Sequence, residues 1–279
     1  MGIERARWRV LLVALVALAG GVAAAGATSG GTGSNGGAAP GATPTTPSVP
    51  GTSGSTTPSH PHRRRVRRLV GCDAAGPAFV PNGSHRRRVV ALTFDDGPWP
   101  DTPAFLRVLE RERVHATFFL IGRQVAGHGP LLRRMLADGD MIGDHTWSHP
   151  DVAGAGAFAA DQITWTERAI IRAADFRPCL FRAPGGAVSG PLIALARRLG
   201  FTTIQWDVDP TDWARPGTGA IVARVLSHVR RGSIVLMHDG GGPRGQTLAA
   251  LPAIIHALKR RGYRFETVTA LTDTRLRYR

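Results

Sequence analysis

The stretch Leu92-Thr93-Phe94-Asp95-Asp96-Gly97-Pro98 sets two adjacent carboxylates at the end of an apolar run, Val89 to Phe94. Neighbouring strand residues point to opposite faces, so Asp95 and Asp96 can serve one site only where the strand breaks, and Gly97-Pro98 is a turn signal at that point. Two carboxylates so placed can divide the work, one holding a metal while the other handles protons. The plainer alternative is an Asx-type turn closing a strand. Later segments weigh against it, because each adds a complementary group.

Asp144-His145-Thr146-Trp147-Ser148-His149-Pro150 places two imidazoles four residues apart, a spacing that puts both on one side of a helical turn. With Asp96 they would form a two-histidine, one-carboxylate set. Three protein ligands leave a position open, the arrangement of a catalytic rather than a structural zinc site. Phe181-Arg182-Ala183-Pro184-Gly185-Gly186 ends a short apolar run on an arginine that could grip a carboxylate through two N–H donors, although a strand-end arginine is more often a solvated charge. Trp206-Asp207-Val208-Asp209-Pro210-Thr211-Asp212-Trp213 is rich in acids and indoles, and Ile234-Val235-Leu236-Met237-His238-Asp239 puts a histidine directly after another apolar run.

These five segments, in this order and separation, resemble the polysaccharide deacetylases, carbohydrate esterase family four, over roughly Val89 to Thr269. The resemblance implies a distorted (β/α)7-type barrel. It implies Asp95 as catalytic base with Arg182 as its partner, and Asp96, His145 and His149 as ligands of a divalent metal, zinc first, with Co, Ni, Mn or Fe as alternatives. His238 would be the general acid, held in its tautomer by Asp212, and Trp213 and Leu236 would line the slot for the acetyl methyl group. Gly185 would lend a backbone N–H to the oxyanion. Relatives often carry tyrosine at that position, so a side-chain contact with the sugar is lost here. The chemistry is self-consistent: amide hydrolysis needs an activated water, an oxyanion stabiliser and an acid for the leaving nitrogen.

Around this core the chain has 279 residues and a formal net charge of +15. Residues 1–27 read as a secretory signal or amino-terminal anchor. Charges at Glu4, Arg5, Arg7 and Arg9 precede the apolar run Val10 to Ala25, which is short for a membrane span, and Ala25-Gly26-Ala27 resembles a cleavage sequence. Residues 28–68 read as a Gly/Ser/Thr/Pro-rich linker ending in the basic arm HRRRVRR, and 69–279 as the catalytic domain. Arginine runs also suit nucleic acid, but export argues against it. Anionic cell-wall polymers or a membrane surface are the expected partners of the arm, and a monomer is expected.

The two cysteines, Cys72 and Cys179, are expected to pair in an exported protein, the alternative being two unpaired buried thiols. Closing about a hundred residues would add roughly 4 to 5 kcal/mol in the chain-entropy picture. Apolar strands are expected near Val89–Phe94, Thr117–Ile121, Met141–Gly143, Leu180–Phe181, Thr202–Trp206, Ser233–Met237 and Arg264–Thr267. Helical spacing falls between them over Thr102–Arg113, Pro130–Asp138, Ala157–Ala174, Ser189–Leu199, Ala220–Arg230 and Thr247–Arg261. Alternation of this kind gives a parallel sheet whose catalytic groups gather at the carboxyl ends of the strands.

The expectation is an exported, metal-dependent hydrolase removing N-acetyl groups from N-acetylglucosamine or N-acetylmuramic acid in an amino-sugar polymer, with peptidoglycan ahead of chitin-like glycans. The alternatives are an O-acetyl esterase on xylan or a similar glycan and, outside the enzymes, a catalytically silent wall-binding protein. A silent binder has no need of Asp95, Asp96, His145, His149, Arg182, Asp212 and His238 together.

Overall fold

The structure, a computed structural model, describes residues 67–279. The expected signal or anchor at 1–27 and nearly all of the expected linker and arm at 28–68 lie outside the described residues. In chain order the elements are β1 (Leu69–Asp73), β2 (Phe79–Val80), β3 (Val89–Gly97), α1 (Thr102–Glu112), β4 (Thr117–Leu120), α2 (Gly129–Ala137), β5 (Met141–Asp144), α3 (Gly156–Ala174), β6 (Leu180–Phe181), α4 (Gly190–Arg198), β7 (Thr202–Ile204), α5 (Thr218–His228), β8 (Ser233–His238), α6 (Gly245–Arg260), β9 (Arg264–Phe265), α7 (Val268–Leu271) and β10 (Arg275–Tyr278).

Eight strands form one parallel sheet in the path β2-β7-β6-β5-β4-β3-β8, with β9 added along the start of β3. Every residue of β3 is buried, as a strand covered on both faces requires. Helices pack outside it through apolar positions three and four apart: Phe105, Leu106 and Leu109 on α1, and Ala159, Ile163, Ala169 and Ile170 on α3. The strand path is open between its ends rather than a closed barrel. The chain beyond β7 nevertheless reaches the far edge, where Val208 bridges Val235 in parallel and accepts from the Leu236 N–H at 2.9 Å. The sheet is therefore strongly curled, and the carboxyl ends of β3, β5, β6 and β8 converge.

A second, two-stranded antiparallel sheet joins β1 to β10, near the two ends of the described chain. Cys72 on β1 is bonded to Cys179, 107 residues on and just ahead of β6, so the expected disulfide is present. This bond ties the small sheet to the strand that ends in Arg182. Three expectations need correction. The strand expected to run to Trp206 ends at Ile204, where Gln205 and Trp206 turn toward Arg182. The strand expected over Arg264–Thr267 ends at Phe265, because Thr267 caps α7 by accepting the Ala270 N–H. The segment expected to make a helical turn, from His145 to His149, is an irregular loop with Thr146 and His149 at φ 66° and 64°.

Candidate active site

At the end of β3 the break that lets two neighbouring carboxylates share one site falls at Asp96 itself. Its φ is 72°, and the register with β4 slips between Asp95 and Gly97. The turn thus begins one residue earlier than Gly97-Pro98 alone suggests. An aspartate tolerates the left-handed region better than most residues. Asp95 Oδ1 accepts a 2.8 Å bond from Arg182 Nη1, and Asp95 Oδ2 lies 3.7 Å from His145 Nε2. Burial, the largest influence, raises the Asp95 carboxyl above the ordinary carboxylate value even though the neighbouring Arg182 charge opposes it.

Arg182 is fully buried. Its Nη1 also donates to Thr93 Oγ1 at 2.8 Å and its Nη2 to the Gln205 carbonyl at 3.2 Å, while its guanidinium lies 4.1 Å from the Phe119 ring centre and 5.4 Å from that of Trp206. A planar cation bonded to three partners and packed near two rings is held in one orientation, so Asp95 is presented in one orientation too.

The irregular loop after β5 carries the histidines. His145 Nδ1 donates to the Arg182 carbonyl at 2.8 Å, which leaves the Nε2 lone pair facing Asp96 Oδ1 at 3.6 Å. Burial pushes the His145 pKa down to about 3, so the ring is neutral at physiological pH. His149 Nε2 approaches the same Asp96 oxygen at 3.3 Å. Gln162 on α3 holds the loop by accepting the Ser148 N–H at 2.9 Å, and Thr146 Oγ1 accepts the His149 N–H at 3.1 Å.

The donor set answers whether a metal fits. Asp96 Oδ1 is buried without a hydrogen-bond partner, and it converges with two imidazole nitrogens so that one atom from each residue lies within 4.8 Å of the others. Three lone pairs aimed at one point call for a cation, and the His145 ring is oriented by a carbonyl behind it, as ligand histidines are. Asp96, His145 and His149 thus fit a divalent ion.

Across the cavity, His238 at the end of β8 donates from Nδ1 to Asp212 Oδ1 at 2.7 Å. Asp212 Oδ2 accepts the His238 backbone N–H and the Thr247 hydroxyl, both at 2.9 Å. Burial, the largest single influence, favours neutral His238. The bond and charge of Asp212, with Asp95 and Asp96 beyond, outweigh it and raise the imidazole above its ordinary value. The cavity between these groups has a volume of about 360 Å³ and is lined by Asp95, Asp96, His145, His149 and His238, together with Gly185, Trp213 and Leu236. Leu236 is buried, whereas Trp213 is 55% exposed and stands at the rim. Gly185 has φ 60° and open space where a side chain would project, so the groove there is bounded by backbone.

All of the sequence-predicted site residues other than the cysteines and the two partners Arg182 and Asp212 line this one cavity, and those two sit directly behind it. Sequence reasoning missed Thr93, Gln205 and Trp206 as the cage around Arg182, and Asp209 as a lining residue. The acidic, indole-rich string from Trp206 to Trp213 was the available signal for two of them.

An α/β sheet that gathers a carboxylate–arginine pair, a histidine–carboxylate pair and three residues able to hold a metal around one cavity has the parts a hydrolase site needs. The polysaccharide deacetylase family profile matches residues 82–204. The chain is 38% identical over 203 residues, 72% of its length and 92% of the relative's, to a peptidoglycan-N-acetylglucosamine deacetylase of Bacillus cereus. It is 42% identical over 198 residues, 66% of its length and 90% of the relative's, to a chitooligosaccharide deacetylase of Bradyrhizobium. A crystal structure of a peptidoglycan N-acetylglucosamine deacetylase bound to 4-naphthalen-1-yl-N-oxidanyl-benzamide superposes with a TM-score of 0.68 at 35% identity, covering 70% of this chain and 93% of that one. This chain belongs to the polysaccharide deacetylase family and is a hydrolase of that kind.

Proposed function

We propose that this protein removes N-acetyl groups from an amino-sugar polymer outside the cytoplasm, with peptidoglycan as its substrate and a divalent metal, zinc first, as its cofactor. The observation that carries the reading is the pairing of two opposed dyads, Asp95–Arg182 and His238–Asp212, across a cavity that also holds Asp96, His145 and His149. The names of the relatives support an N-acetylated amino sugar, and the disulfide suits an oxidising compartment.

A divalent ion held by Asp96, His145 and His149 would act as a Lewis acid toward the attacking water and the acetyl carbonyl. Asp95, ionised and steered by Arg182, takes a proton from the water through the oxygen not bound to the arginine as the water attacks the carbonyl carbon. The oxyanion that develops lies on the Gly185 side, where a backbone N–H donates to it. His238, its Nδ1–H held by Asp212, presents Nε2 to the leaving nitrogen and delivers a proton as the C–N bond breaks. Acetate and a free amine result. Trp213 and Leu236 bound the apolar slot for the methyl group.

Acetate release from purified peptidoglycan, chitooligosaccharides and acetylated xylan, at matched acetyl concentration and with and without chelator, tests this. Peptidoglycan should give the fastest release, and chelation should stop it. Faster release from xylan would replace the reading with the O-acetyl esterase, and no release from any of the three would leave the silent wall-binding protein.

A further inference from the structure

The strands that end in the catalytic groups begin among arginines. The loop ahead of β3 carries Arg86, Arg87 and Arg88, and the loop ahead of β8 carries Arg230 and Arg231. The end of α6 and the turn into β9 add Arg260, Arg261 and Arg264. These loops form one surface: the Arg264 N–H donates to the Arg88 carbonyl at 3.0 Å, Arg88 Nη1 to the Arg261 carbonyl at 2.9 Å, and the His85 ring contacts the Arg231 carbonyl at 2.6 Å. All eight arginines are exposed.

Carboxylates offset only part of this charge. Glu266 pairs with Arg87 at 3.0 Å and Asp207 with Arg230 at 3.2 Å. Among the described residues Arg86, Arg88, Arg231, Arg260, Arg261 and Arg264 form no ion pair. Crowded like charges raise the free energy of the isolated domain, and a counter-charged partner relieves it.

We propose that this arginine face docks the catalytic domain on an anionic lipid bilayer, with the active-site mouth turned away from the membrane; the orientation rests on the site assigned above. β3 and β8 carry arginines at one end and Asp95, Asp96 and His238 at the other, separated by the length of the strands, roughly 20 to 30 Å. A domain held by that face presents its cavity outward, toward a polymer lying beyond the membrane. The shape of the patch favours a surface over a chain-like polyanion, because the exposed arginines are spread over three separate segments of the chain. The upstream apolar run Val10–Ala25, read above as a signal or anchor, would bring the chain to a bilayer, which favours lipid as the partner of this face.

The test is partitioning of the full chain onto vesicles of phosphatidylglycerol mixed with phosphatidylcholine, against pure phosphatidylcholine, across a salt series. One variant combines Arg86→Gln, Arg231→Gln, Arg260→Gln and Arg264→Gln. A control of equal charge combines Arg107→Gln, Arg168→Gln, Arg172→Gln and Arg198→Gln, all exposed on helices elsewhere. Each arginine at an anionic surface strengthens partitioning roughly fivefold, so the face variant should lose on the order of a hundredfold or more, and the loss should shrink as salt rises. The control should lose far less. Equal losses in the two variants, or equal binding of the wild type to neutral and anionic vesicles, would overturn the proposal. So would a face variant that keeps its vesicle binding but loses retention on immobilised inorganic polyphosphate, which would assign the face to a polymer. Acetate release from a soluble chitooligosaccharide should be the same in both variants and the wild type. That readout reports the catalytic reading separately from the docking.

Discussion

The two dyads of the cavity solve opposite problems with the same device, a partner that fixes both orientation and charge. Asp95 is paired with a permanent cation, which opposes the rise in pKa that burial imposes on the carboxyl. His238 is paired with a carboxylate, which outweighs the fall that burial would impose and raises the imidazole above its ordinary value. Arg182 itself is held by Thr93, Gln205, Phe119 and Trp206, and Asp212 by Thr247 and the His238 backbone, so both partners are as immobile as the groups they serve.

The comparison can be broken most completely from outside either dyad. Replacing Asp96, His145 or His149 with alanine should remove metal and activity together, since each takes away one of three ligands; full activity in a metal-free preparation would contradict that. Next come Asp95 and His238, the proposed proton carriers. Asp95→Asn should lose about 100- to 10,000-fold in kcat while metal content is retained, because the amide cannot take a proton. His238→Ala should lose a similar factor on amides and less on acetyl esters, whose alkoxide leaving group needs less help than an amine. Rates of the two variants on paired amide and ester substrates would test the asymmetry, and an equal loss on both would remove His238 from the acid role.

The pH profile sharpens the contrast further. With Asp95 as the proposed base and His238 as the proposed acid, the rate should rise with pH through the raised pKa of Asp95 and fall through the raised pKa of His238. Asp212→Asn removes the charge that lifts the imidazole, so the alkaline limb should move to lower pH while the acidic limb stays in place. Movement of both limbs together would show that the dyads are not separable. The smallest effect on catalysis is expected for Cys72→Ser. This change frees a loop of 107 residues and should lower stability by about 2 to 5 kcal/mol, read by denaturant titration, with kcat little altered under conditions where the variant is folded.

The alternation of apolar runs and helical spacing made the parallel sheet legible, because buried parallel strands are continuous apolar stretches and the helices between them carry apolar residues three and four apart. β1, the two-residue β2, β10 and α7 were not legible. β10 alternates exposed arginines with Leu276 and Tyr278, α7 spans only Val268–Leu271, and the pairing of β1 with β10 joins residues some two hundred apart. That Asp96, His145 and His149 would come together was legible from residue type and from the resemblance, but their backbone was not. A spacing of four suggested a helical turn, whereas Thr146 and His149 take left-handed conformations that neighbouring tertiary contacts impose rather than local propensity. The cage of Arg182 escaped for a similar reason. Thr93, Phe119, Gln205 and Trp206 come from three strand ends, and only the curled sheet brings them to one guanidinium.

Asp95 and Asp96, adjacent in the chain, are proposed to do separate jobs. Metal content and acetate release should be measured on the same preparations of wild type, Asp95→Asn and Asp96→Ala, each stripped with chelator and reloaded with zinc. The account predicts one tightly held ion per chain in the wild type and in Asp95→Asn, with turnover lost in the latter, and neither ion nor turnover in Asp96→Ala. An Asp95→Asn variant that loses its ion as completely as Asp96→Ala, or one that holds the ion and turns over at the wild-type rate, would contradict it.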